Sequence, residues 1–173
     1  MSTSTLRFST VTAVAAAAAT LCGSAWANTP GTAYVVGTAH NISRNWSVAV
    51  LASDSNANAE VANANMFNDS PKAGYQYVSV LFRTQKLSSG EGNAFWDVRY
   101  RLYGRGSHRL YESADSAYLR NAIEDADSVL KGGRTTASIV FEVAKSDIRA
   151  GGMQLVVEDE STFSSSKSWF RLR

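Results

Sequence analysis

The sequence predicts an all-β chain folded as a two-layer antiparallel β-sandwich of about seven strands. Three observations predict it. Phe95–Tyr103 alternates without a break, with Trp96, Val98, Tyr100 and Leu102 on one face and Asp97, Arg99, Arg101 and Tyr103 on the other. The same period of two returns in Trp46–Val50, Ser138–Val143 and Met153–Val157. Clusters of Gly, Ser, Asn and Asp separate these runs, as at Asp54–Asn58, Ser88–Gly92 and Gly104–Ser107. Alternation of this kind places one strand face on a core and the other in solvent, and the clusters supply turns.

The N-terminal segment 1–27 reads as an export signal. Arg7 is followed by an apolar, alanine-rich run, Val11–Leu21, and then by Ser24-Ala25-Trp26-Ala27, which ends small-x-small, so a cut after Ala27 is expected. The run spans about 11 residues, short of the roughly 20 that cross a bilayer as a helix. Cys22 raises a lipid anchor as an alternative, but Leu21 stands where such signals want a small residue. Cleavage would leave 28–173 as a single domain without cysteine, hence without disulfide or thiolate metal site. The whole chain carries a net charge of only +2, which gives no argument for nucleic acid or an anionic membrane surface as partner.

Within 28–173, Thr32–Val36 and Ser168–Leu172 are expected as first and last strands, and Trp46, Val48 and Val50 mark another. Tyr75–Phe82 is more continuously apolar, as in a central strand covered on both sides. Ile139, Phe141 and Val143, then Met153, Leu155 and Val157, supply further core faces. Leu119, Ile123, Ala126 and Leu130 fall at helical spacing, so 118–130 reads either as one short helix or as an irregular crossing between sheets.

The stretch Asn65-Met66-Phe67-Asn68-Asp69-Ser70-Pro71-Lys72-Ala73-Gly74-Tyr75-Gln76-Tyr77-Val78 resembles the Asn-x-Phe-Asn-x-x-Pro-x-x-Gly-x-x-Tyr-Val signature of a large family of bacterial exported immunoglobulin-like domains. That family comprises secreted proteins and lipoproteins, akin in fold to a small secreted immunoprotective antigen of mycobacteria. Leu130-Lys131-Gly132-Gly133, the strand Ala137–Val143 and Asp147 resemble a second segment of the family, with Ala144 where proline is common. The resemblance implies an immunoglobulin-like sandwich outside the cytoplasm and supplies no catalytic residue. In physical terms, Asn and Asp before Pro71 favour an Asx turn, Gly74 permits a sharp entry to the next strand, and Phe67 can cap the core edge.

Candidate chemistry is sparse. His40 and His108 sit in polar, loop-like surroundings, and no Gly-x-Ser-x-Gly elbow accompanies them. Asp54, Asn56 and Asn58 place oxygens at alternate positions, as calcium loops do, but the glycine and terminal glutamate of such loops are missing. No catalytic residue, metal or cofactor is therefore expected. The aromatic residues give the best binding hint. Trp96 and Tyr100 fall on the core face, whereas Arg99, Arg101 and Tyr103 form an outward stripe that could meet a protein or glycan partner.

The expected function is that of an exported, non-catalytic immunoglobulin-like protein that binds at the cell envelope or in the medium. The alternatives are a carbohydrate- or peptidoglycan-binding module, and a hydrolase whose site the sequence does not reveal.

Overall fold

The computed structural model describes residues 29–162 and 166–173. The export-signal reading of 1–27, with Cys22, lies outside the described residues. The chain runs through strands β1 (His40–Asn41), β2 (Trp46–Asp54), β3 (Tyr75–Lys86), β4 (Val98–Gly104), β5 (Arg109–Tyr111), β6 (Arg134–Ala144), β7 (Gln154–Asp159) and β8 (Lys167–Arg171). Short helices α1 (Asn58–Ala64), α2 (Ala94–Asp97) and α3 (Lys145–Ala150) join them. The strands form two four-stranded sheets, ordered β1-β2-β3-β6 and β5-β4-β7-β8. Every pairing within them is antiparallel. The fold is the expected β-sandwich.

The core follows from the period of two. Trp46, Val48 and Val50 of β2, Val78, Val80 and Phe82 of β3, and Ile139, Phe141 and Val143 of β6 line the inner face of the first sheet. Val98, Tyr100 and Leu102, Leu155 and Val157, and Phe170 answer from the second. The rings of Phe82 and Tyr100 meet across the layers at 4.6 Å. β3 is also covered from outside, as its continuous apolar run predicts. Ala57 and Val61 of the α1 region, with Ala117 and Leu119, pack on Tyr77 and Val140.

The structure departs from the sequence expectations at defined places. Trp96 is not core: it is 75% exposed. Asn93 Oδ1 accepts from the amides of Phe95 and Trp96 and curls 94–97 into a helical turn, so the pleat begins only at Val98. Thr32–Val36 does not form a strand. Pro30–Thr32 is a 3-10 turn, closed by the Thr32 amide on the Thr29 carbonyl, and only Tyr34 bridges to Phe170. The irregular crossing is the form adopted by 118–130, with one 3-10 turn at Ile123–Asp125. Phe67 does not cap the core edge, being 83% exposed.

The rest of that motif works as turn chemistry. Asn65 Oδ1 accepts from the Phe67 amide, and Gly74 takes φ +83° at the entry to β3. Asn68 ties the loop down: its Nδ2 donates to the carbonyls of Val61 and Tyr118, and its Oδ1 accepts from the Tyr118 amide.

Candidate binding cleft

The period of two that aims Val98, Tyr100 and Leu102 inward turns Arg99, Arg101 and Tyr103 outward. Register extends them into rows across the second sheet. Arg99 lies opposite Glu158 and Lys167, Arg101 opposite Val156 and Trp169, and Tyr103 opposite Gln154 and Arg171.

The two arginines of the stripe are engaged. Arg99 pairs with Glu112 at 2.9 Å and Glu160 at 3.4 Å. Its hydrogen bond to Glu112, reinforced by the charges of both carboxylates, raises its pKa further above the ordinary arginine value. Arg101 pairs with Glu158, which Lys167 also approaches at 3.8 Å. Tyr103 is only 9% exposed. Its ring meets Trp169 edge-on at 5.3 Å, and its hydroxyl shares a 2.7 Å hydrogen bond with His108 Nδ1.

Beyond Tyr103 the face opens into a cleft of about 500 Å³. Arg105 and His108, from the β4–β5 hairpin, stand on one side, and Arg171 of β8 also lines it. Tyr103 and Gln154 come from the sheet, and Pro30 from the N-terminal turn. Among the described residues no carboxylate lines the cleft. Neither Arg105 nor Arg171 has an ion-pair partner among the described residues. Gln154 is nine-tenths buried; its Nε2 donates to the Pro30 carbonyl at 2.9 Å, while its buried Oε1 has no hydrogen-bond partner.

The hairpin that carries Arg105 and His108 is fixed from below by Asp147 of α3. Asp147 is 1% exposed and accepts from the Ser107 amide at 2.7 Å, the Ser107 hydroxyl at 2.5 Å and the Tyr111 hydroxyl at 2.6 Å. Burial pushes its carboxyl up, but these hydrogen bonds and the charge of Arg109 outweigh it, and the net shift is downward. The carboxylate fits because Gly104 and Gly106 lack side chains. A Cβ at Gly106 would stand 2.8 Å from Asp147 Oδ1, and one at Gly104 would run into Oδ2. Gly152, which also lines the cleft, takes φ +68° and leaves room for the Arg105 stem, whose Cδ would lie 3.1 Å from an added Cβ.

The other sequence candidates are placed elsewhere. His40 stacks on Tyr34, with ring centroids 3.7 Å apart, and burial lowers its pKa. Asp54 Oδ1 accepts from the Asn56 amide, and Asn58 Oδ1 from the Tyr77 amide, so both serve the backbone. Among the described residues no three His, Cys, Asp or Glu side chains group as metal ligands. Ser107, His108 and Asp147 are neighbours but form no relay. The serine donates straight to the aspartate, and His108 Nδ1 faces Tyr103.

A second cleft of about 450 Å³ lies between β5 and the 72–77 and 142 region. Its charges are largely answered within the chain: Lys72 by Glu142, Glu112 by Arg99, and the Arg109 guanidinium by the Tyr111 ring.

Sequence reasoning found Tyr103 but missed Arg105 and Arg171, and weighed His108 only as a catalytic base. The paired glycines around Arg105 were the available local signal. Nothing local places Arg171 beside them.

No protein-family model matches the chain, and no curated protein matches it. Solved structures do. An uncharacterized β-sandwich protein from Clostridium difficile 630 superposes with a TM-score of 0.50 at 10% identity, covering 82% of this chain and 95% of that one. The yjhA protein from Bacillus subtilis gives 0.48 at 8% identity, over 81% and 99% of the two chains. The first of these likenesses shows a shared sandwich fold. No helix among the described residues is long and apolar enough to cross a membrane.

Proposed function

We propose that this chain is an exported, non-catalytic immunoglobulin-like protein that binds a polar, anionic ligand at the cell envelope or in the medium. The binding surface is the outer face of the second sheet, with the Arg99, Arg101 and Tyr103 stripe leading into the cleft. One observation carries the reading: among the described residues, two guanidinium groups without carboxylate partners, together with His108, line a single cleft that has no acidic side chain. A cleft of one charge sign concentrates ligands of the other, and arginine forks match planar or tetrahedral anions. The order of residues 1–27 supports export, and the motif at Asn65–Val78 supports membership of the exported immunoglobulin-like family.

The test is affinity capture from native envelope and culture medium, with wild type and an Arg105→Glu/Arg171→Glu double variant. A ligand retained by wild type and lost by the variant supports the reading. Equal capture by both, or turnover that depends on a specific side chain, overturns it. Mass spectrometry of the mature N-terminus checks export: a start at Asn28 supports it, and a lipidated Cys22 replaces a free protein with an anchored one.

A further inference from the structure

Anion attraction accounts for only half of the cleft. Arg105 and Arg171 supply a cationic rim, with the His108 ring beside them. Gln154 imposes a different demand. Its Nε2 is committed to the Pro30 carbonyl, so its orientation is set, and its buried Oε1 is left as an acceptor without a donor. A buried acceptor of this kind is destabilising unless a donor meets it. Sulfate has no proton to offer it; a ligand that also carries hydroxyl groups does. Pro30, Tyr103, Met153 and Leu172 add apolar wall, suited to the C–H face of a saturated ring. The volume, about 500 Å³, lies in the usual range for small-ligand sites.

Resting on the reading of the cleft as the binding site, we propose that its ligand is an acidic sugar: a carboxylated pyranose, such as a uronic acid unit of a polysaccharide. The carboxylate lies between the guanidiniums of Arg105 and Arg171, a ring hydroxyl donates to Gln154 Oε1, and the ring packs on the apolar wall. Arg99 and Arg101, already paired, do not take the carboxylate.

Calorimetry and ligand-observed NMR on the purified protein test this with three probes: a glucuronic acid oligosaccharide, a neutral gluco-oligosaccharide of equal length, and inorganic sulfate. The acidic oligosaccharide is expected to bind about tenfold or more tightly than either of the others. Arg105→Gln/Arg171→Gln should weaken it by about tenfold, and Gln154→Leu should weaken it more than it weakens sulfate. Arg83→Gln, on the other sheet, should change nothing. Sulfate binding as tightly as the acidic sugar would overturn the ligand class while leaving the anion cleft in place. Neutral sugar binding equally would also overturn it, as would no binding of any probe. The comparison of probes on wild type holds even where a variant fails to fold. If native capture is also indifferent to Arg105 and Arg171, the cleft reading itself has failed.

Discussion

The Tyr111 hydroxyl donates to Asp147 Oδ2 at 2.6 Å, joining β5 to the first turn of α3 across 36 positions of sequence. The same carboxylate holds Ser107 by its amide and its hydroxyl, so one buried charge sets the hairpin that carries Arg105 and His108. Asp147→Ala would leave these donors without an acceptor and should cost about 3 kcal/mol, with Tyr111→Phe costing about 1 kcal/mol. Denaturant unfolding measures both, and ligand affinity should fall in Asp147→Ala even where the fold survives.

The same network makes stability depend on acid. The Asp147 carboxyl titrates below its unfolded value of about 3.9, so its contribution is complete above that pH and disappears as pH falls through the folded value. Asp147→Asn should therefore be less stable near neutrality and show a flatter loss of stability below about pH 4. Thermal midpoints from pH 2 to 7 test this. A parallel acid limb in both proteins would show that Asp147 is not the group responsible.

Gly104→Ala should destabilise by about 2–3 kcal/mol, because the new methyl enters the space of Asp147 Oδ2 and lies 3.0 Å from the Tyr111 ring. Gly152→Ala should act more narrowly. It strains a φ of +68° and crowds the Arg105 stem, so ligand affinity should fall alongside a smaller loss in melting temperature.

Two neighbours in the 65–78 motif should behave oppositely. Phe67→Ser removes a side chain that touches little and should shift stability by less than about 0.5 kcal/mol. Asn68→Ala removes three hydrogen bonds that fasten the loop to α1 and to Tyr118 and should cost about 1–2 kcal/mol. Chemical denaturation of the pair distinguishes a turn built for architecture from one built around an aromatic anchor.

Phe82→Ala, at 0% exposure between Tyr100 and the inner face of the first sheet, should cost about 3–5 kcal/mol. The loss is of packing alone, so the effect should stay nearly constant as pH falls through about 4, unlike that of Asp147, whose contribution is lost there.

Much of the sandwich was legible because a strand writes its two faces into every second residue. Val98, Tyr100 and Leu102, and Ile139, Phe141 and Val143, could be assigned inward from sequence neighbours alone. Trp96 has the same spacing but faces solvent, because the Asn93 cap converts the pleat into a helical turn and rotates the indole outward. Helix α1 was hidden for a related reason. Asn58–Ala64 buries only Val61, which is too little apolar periodicity to register, and its polar start mimics a loop.

By itself the sequence determined the period of two, the turn sites, and hence a chain of strands with Arg99, Arg101 and Tyr103 turned away from the core. Only the tertiary structure decided that Arg99 and Arg101 are neutralised by glutamates, and that Arg105, Gln154 and Arg171 share one cleft with Tyr103. The physical reason lies in range. Side-chain direction along a strand is set by adjacent peptide geometry, whereas the company a side chain keeps is set by strand register and by loops brought together from distant parts of the chain.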